Sequence, residues 1–226
     1  MKKVILSVLL ILGVCAAPES SVYAKDKKDV YKERQEINKK KRKILNEKAS
    51  KDARNEAKSL AKQGWKSAPG TLPLEKQIDR QFLLLEEYDE DGYPAYLFGS
   101  ATSTGGNYDA AKLQATALAK QDLAGQIETS VGALIENDIE TKQLDNGDAV
   151  SITKSLAAGK QLIQNKLGRT LPVIEIYRDN GNGKEVRIMI AYNYEMARAL
   201  AKKAIQQDLE ARGDSLSNKL DKILNW

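Results

Sequence analysis

Ser151-Ile152-Thr153-Lys154 is the arrangement in this chain best able to do covalent chemistry. On a helix the lysine would lie one turn from the serine, where its amine can take the hydroxyl proton as the oxygen attacks. The same spacing recurs at Ser59-Leu60-Ala61-Lys62, and with thirteen serines in a Lys-rich chain such matches are expected by chance. No Ser-Asp-Asn or Lys-Thr-Gly partner accompanies either. The acidic run Glu86, Glu87, Asp89, Glu90 and Asp91 offers oxygen ligands to a hard cation, but it lacks the alternating Asp-x-Asn spacing of a calcium loop and reads better as a solvated turn. In Arg212-Gly213-Asp214, glycine is placed to end one helix and aspartate to cap the next; mimicry of an adhesion ligand is the lesser reading.

The remaining chemistry is cationic. Lys39, Lys40, Lys41, Arg42 and Lys43 form a cluster that would suggest nucleic acid in a cytosolic protein. No aromatic side chains are interleaved with it for base stacking, and an anionic membrane surface or an acidic partner is the nearer target. The chain has no histidine and a single cysteine, Cys15. That composition removes His-centred triads and nearly every ordinary zinc or haem site, leaving carboxylates, Lys, Tyr and Ser for any reaction. No catalytic, metal-binding or cofactor-binding residue is assigned, and no cofactor is expected.

Compartment strengthens this reading. Lys2 and Lys3 precede an apolar run from Val4 to Ala17, and the segment to Ala24 ends in Val22-Tyr23-Ala24, the layout of a secretory signal peptide over residues 1–24. The run is shorter than the roughly 20 residues a spanning helix needs. Cleavage after Ala24 would discard Cys15. The alternative is acylation at Cys15, which follows Leu12-Gly13-Val14 in partial likeness to a lipoprotein signal. Export also argues against nucleic acid as a partner.

Charge divides the rest. Lys25–Lys66 holds sixteen Lys/Arg against seven Asp/Glu, and Ser67–Trp226 holds eighteen against twenty-three. This asymmetry is that of a basic arm (25–66) on an acidic body (67–226). Apolar or small residues recur in the arm at Val30, Ile37, Ile44, Ala49, Ala53, Ala57 and Leu60, predicting a long basic helix over Asp29–Gly64, coiled-coil-like but with a thin, Ala-rich seam.

In the body, periodicity predicts a helix after Thr71 with Leu74, Ile78, Phe82 and Leu85 on one face, then a strand over Tyr93–Thr102. A long helix follows, capped by Asn107 and reaching about Thr141, in which Gly125 and Gly132 either permit close packing or mark a break. A turn at Asp145-Asn146-Gly147 leads to a helix over Ala149–Leu167. A hairpin joins Leu171–Arg178 to Lys184–Tyr192 through Asp179-Asn180-Gly181-Asn182-Gly183, and a helix over Tyr194–Ala211 precedes a short final one with Leu216, Leu220, Ile223 and Leu224. The helical pattern before Trp226, without repeated ten-residue alternation, excludes a barrel strand there. The expected class is α+β: an antiparallel sheet of at least three strands packed with helices, behind a long basic helix.

Gly99-Ser100-Ala101 ending a strand, followed by Ala110-Ala111, Ala115, Ala117-Leu118-Ala119, Leu123-Ala124 and Ile127, resembles the opening of the LPP-twenty-like family of bacterial envelope lipoproteins, over roughly residues 93–211. After Ile127 this chain keeps a helical pattern where the family pattern implies a second strand. The resemblance implies an envelope protein and carries no catalytic residue. Taken together, the sequence leads to a non-catalytic exported protein, periplasmic or outer-membrane-associated. Its body would be a binding or assembly module, and its basic helix would contact an anionic surface, an envelope protein or a second copy. An envelope enzyme acting on glycan or peptidoglycan is the alternative.

Overall fold

The structure, a computed structural model, describes residues 47–89, 92–140, 145–218, 220 and 224. The chain divides into two units, Met1–Glu47 and Lys48–Trp226, and every described element belongs to the second. Cys15, the expected cleavage site after Ala24, Lys39–Lys43, the arm before Glu47, Glu90-Asp91 and Trp226 lie outside the described residues.

The unit is α+β, as its periodicities imply. Helix α1 (Lys51–Lys62) leads into the short strand β1 (Lys66–Ser67) and helix α2 (Leu74–Leu85). Strand β2 (Tyr96–Gly105) and the 33-residue helix α3 (Tyr108–Glu140) follow. Helix α4 (Asn146–Lys166), strands β3 (Leu171–Asn180) and β4 (Gly183–Asn193), helix α5 (Tyr194–Ala211) and a 3-10 turn (Ser215–Asn218) complete the order. All pairings are antiparallel in a sheet of order β1-β3-β4-β2.

Alternation along the strands divides the sheet between two cores. Val186, Ile188, Ile190 and Tyr192 of β4 join α3, α4 and α5 in the larger one. Met189 and Ala191 face the other way, with Ile174 and Ile176 of β3 and Tyr96 and Phe98 of β2, into a smaller core closed by α1 and α2. Each fully buried Ile or Leu contributes on the order of 2 kcal/mol of apolar transfer, so the larger cluster carries most of the stability.

The arm expected to end at Lys66 instead enters the fold. Ala49, Ala53, Ala57 and Trp65 are buried against α2 and the sheet, and Ser50 caps α1 by accepting from the Ala53 amide at 3.2 Å. The small residues that look like a weak coiled-coil seam form a close helix–helix contact, and the lysines cover its outer side. Trp65 locks the layer to the sheet: its ring has the Arg178 and Arg187 guanidiniums at 4.6 and 4.8 Å from its centroid.

Other boundaries shift for local reasons. Strand β2 starts at Tyr96 because Asp89 holds Tyr93 in a turn, accepting its amide at 2.8 Å, and it continues past Thr102 to Gly105. Helix α4 begins at Asn146, since Asp145 caps it by accepting from the Gly147 and Asp148 amides at 2.8 and 2.9 Å. Leu85 does not share the buried face of α2 and is exposed. After Ile127 the chain stays helical to Glu140, with no break at Gly125 or Gly132.

The close approach occurs on β2 instead. A Cβ built on Gly99 would stand 2.2 Å from the Ala119 carbonyl oxygen, and one on Gly105 would stand 2.6 Å from the Ala111 nitrogen. Nothing lies within 4 Å of a Cβ on Gly132. Gly99→Ala should therefore destabilise the protein by about 3 kcal/mol, because helix backbone must move. Gly132→Ala should stabilise it by roughly 0.5–1 kcal/mol through helix propensity alone. Urea midpoints of the two variants, moving in opposite directions, would establish the contrast; equal shifts would refute it.

Candidate functional site: a groove along the long helix

Leu118, Asp122, Gly125, Thr129, Gly132 and Glu136 alternate spacings of four and three residues, which places them on one stripe of α3. The stripe forms one wall of a groove of about 910 Å³, whose other walls are Thr153, Leu156, Ala157 and Lys160 of α4 and Ser100 and Ala101 of β2. Gly125 and Gly132 widen it by omission of side chains. The carboxylate of Asp122 accepts the Ser100 amide at 2.8 Å, and Glu128 spans the groove to Lys160 at 2.8 Å. Glu136 is exposed at the far end of the stripe. Three acids against one lysine make the lining anionic, suited to a cationic ligand rather than to phosphate or lipid headgroups.

The Ser-x-x-Lys residues are placed for structure. The Ser151 hydroxyl donates to Asp214 at 3.0 Å, while Lys154 is exposed. Asp214 also accepts the Leu216 amide at 3.0 Å. That amide first, and then the Ser151 hydroxyl, hold its carboxyl below the ordinary 3.8, which makes it a poor base for activating the serine. The hydroxyl of buried Ser155 donates to the Ser151 carbonyl at 3.0 Å and accepts from Arg212, which also pairs with Asp208 at 2.8 Å. Gly213, at φ +67°, ends α5, and Asp214 caps the turn after it, the roles their types imply. Ser59 and Lys62 are both exposed on α1.

A cluster not singled out in the sequence joins α3 to β3. The Tyr108 hydroxyl donates to Glu175, as does Lys112 at 2.5 Å. Burial first, then the bond to Glu175, raises the Tyr108 phenol far above its usual range, so it is held protonated and serves as a tie rather than a nucleophile. Of the acidic run, the carboxylate of Asp89 is used by the Tyr93 amide. Among the described residues no group of three or more His, Cys, Asp or Glu is placed to hold a metal ion, and no helix is long and apolar enough to cross a membrane.

Comparison with protein-family models, with curated proteins and with solved structures finds no match to this chain.

The depressed Asp214 carboxyl gives a pH prediction. A group with a lowered folded-state pKa stabilises the fold above its unfolded value and loses that contribution as pH falls through the folded one. Asp214→Asn should be less stable than the parent at neutral pH, and the difference should shrink between about pH 5 and about pH 2. Urea unfolding of both proteins across that range checks it; a difference that is constant with pH would contradict the assignment.

Proposed function

We propose that the protein is a non-catalytic, exported envelope protein in which a basic segment engages an anionic surface or a protein partner while the α+β body serves as a binding or assembly module. The observation carrying this reading is the distribution of charge once α1 is counted with the body. Between Lys25 and Asn46, ten Lys/Arg face four Asp/Glu; from Lys48 to Trp226, twenty-four face twenty-five. The cationic surplus is concentrated just before a nearly neutral folded unit. Each Lys or Arg near an anionic bilayer is worth on the order of 1 kcal/mol, so the five residues Lys39–Lys43 could hold the protein at such a surface.

The resemblance to LPP-twenty-like proteins and the apolar run behind Lys2 and Lys3 support an envelope location. The hydrolase alternative would need a converging acid and base. The groove holds carboxylates, but Asp122 is engaged by a backbone amide and Glu128 by Lys160, which favours binding over acid–base work.

In sedimentation with vesicles containing anionic lipid, the chain from Lys25 onward should partition strongly at low salt. Changing Lys39, Lys40, Lys41, Arg42 and Lys43 together to glutamine should weaken partitioning by more than about tenfold, and added salt should do the same. Equal partitioning of parent and variant would remove the role given to this cluster.

A further inference from the structure

The two edges of the sheet are finished differently. On one side, β3 is covered by Lys66 and Ser67, then by the Ala68 amide, which donates to the Glu175 carbonyl at 3.2 Å. The buried side-chain amide of Gln77 extends this cover like a piece of strand, accepting the Glu175 amide at 2.7 Å. On the other side, β2 pairs with β4 along all ten of its residues, and among the described residues no strand lies beyond it. The Ser100 amide turns away from β4, since it donates to Asp122 at 2.8 Å. Antiparallel alternation then turns the N–H and C=O groups of Phe98, Thr102 and Thr104 the same way. Among the described residues, no hydrogen bond from another element reaches them.

Two hollows flank this open edge and share Ser100 and Ala101. One is the anionic groove. The other, of about 300 Å³, lies on the opposite side of the sheet and takes Leu60, Ile78, Ile174 and Met189 into its lining, beside Glu56 and Arg187. A strand added to β2 would send alternate side chains to opposite faces. Residues opposite Ser100 and Thr102 would enter the aliphatic hollow, and their neighbours would lie on the face of Asp122, at the mouth of the anionic groove.

We propose that β2 is a strand-addition site for an extended segment of a protein partner in which apolar residues alternate with lysine or arginine. Main-chain bonds to Phe98, Ser100, Thr102 and Thr104 supply the pairing, and the two hollows supply the sequence preference. Asp122 guards the edge: it occupies the place of the incoming carbonyl at Ser100 and, once displaced, is free to pair with the partner's cation. This deepens the reading of the body as a binding module, and its failure would leave the role of Lys39–Lys43, tested on vesicles, untouched.

The test is an NMR titration of the chain from Lys25 onward with a ten-residue peptide alternating valine and lysine, against one alternating valine and glutamate. The lysine peptide should shift resonances along Tyr96–Gly105 and slow amide exchange at Phe98, Thr102 and Thr104; the glutamate peptide should bind at least about tenfold more weakly. Thr102→Pro removes one outward N–H at an edge position that tolerates proline, and should weaken the lysine peptide by about tenfold or more. Gln126→Lys, at an exposed position of the groove lining one turn from Asp122, should weaken it without any effect on folding and carries the test should the proline variant not fold. Absence of binding, equal binding of both peptides, or shifts confined to other elements would overturn the proposal.

Discussion

Contact between the backbone of α3 and the backbone of β2 is the constraint on which the rest of this fold depends. Gly99 and Gly105 lie on one face of the strand, and a Cβ at either would strike the helix main chain. The helix answers with Ala111, Ala115, Ala119 and Leu123, one residue per turn and all fully buried. Each turn therefore rests on the strand with little more than a methyl group between, so the contact is close and its geometry narrow. At 1.5 Å per residue, α3 is about 50 Å long, against roughly 33 Å for the ten-residue strand. The helix must overhang the sheet, and the overhang is where α4 packs beside it and the groove opens. The same seating sets Asp122 opposite the Ser100 amide.

Opposite that contact, the β3 edge is closed by the buried side-chain amide of Gln77, which is fully partnered. Gln77 is 3% exposed and would be costly to bury unpaired, by roughly 1–3 kcal/mol. It accepts from the Glu175 amide and donates to the Leu72 carbonyl at 2.7 Å and the Thr71 hydroxyl at 3.1 Å. Trp65, between two guanidiniums, adds an apolar and cationic clamp over the same strands. Arg178 is itself neutralised by Glu185 at 2.6 Å. Among the described residues, the sheet thus has one closed side and one side held by Asp122 alone, an asymmetry with direct consequences for what can bind.

Long, strongly periodic elements were legible from residues alone. Helix α5 occupies the expected Tyr194–Ala211, and the hairpin's alternating Val186, Ile188, Ile190 and Tyr192 all reach the larger core. Elements governed by distant contacts were not. A two-residue strand has no period, so β1 carried no signal, and the burial of α1 was hidden by lysines on its outer face and alanines on its inner one. The glycines with a packing role include Gly99 and Gly105, whose need arises from a helix lying across the strand; Gly125 and Gly132, conspicuous within the helix, merely widen the groove. The groove stripe was readable in principle from the four-three spacing of Leu118 to Glu136, but three acids spread over several turns look like an ordinary solvated face. Strand order, which makes β2 an edge, is a property of the folded topology and is absent from any local window.

Residue-resolved amide exchange along β2 tests the central claim most directly, because it reports both the seating of α3 and the openness of the edge. The amides of Leu97, Gly99, Ala101 and Ser103, directed to β4, should be protected, and those of Phe98, Thr102 and Thr104 should exchange at least about a hundredfold faster, with Ser100 between them owing to Asp122. Uniform protection from Tyr96 to Gly105 would show the edge to be covered and contradict the account. Uniformly fast exchange would show that α3 does not hold the strand.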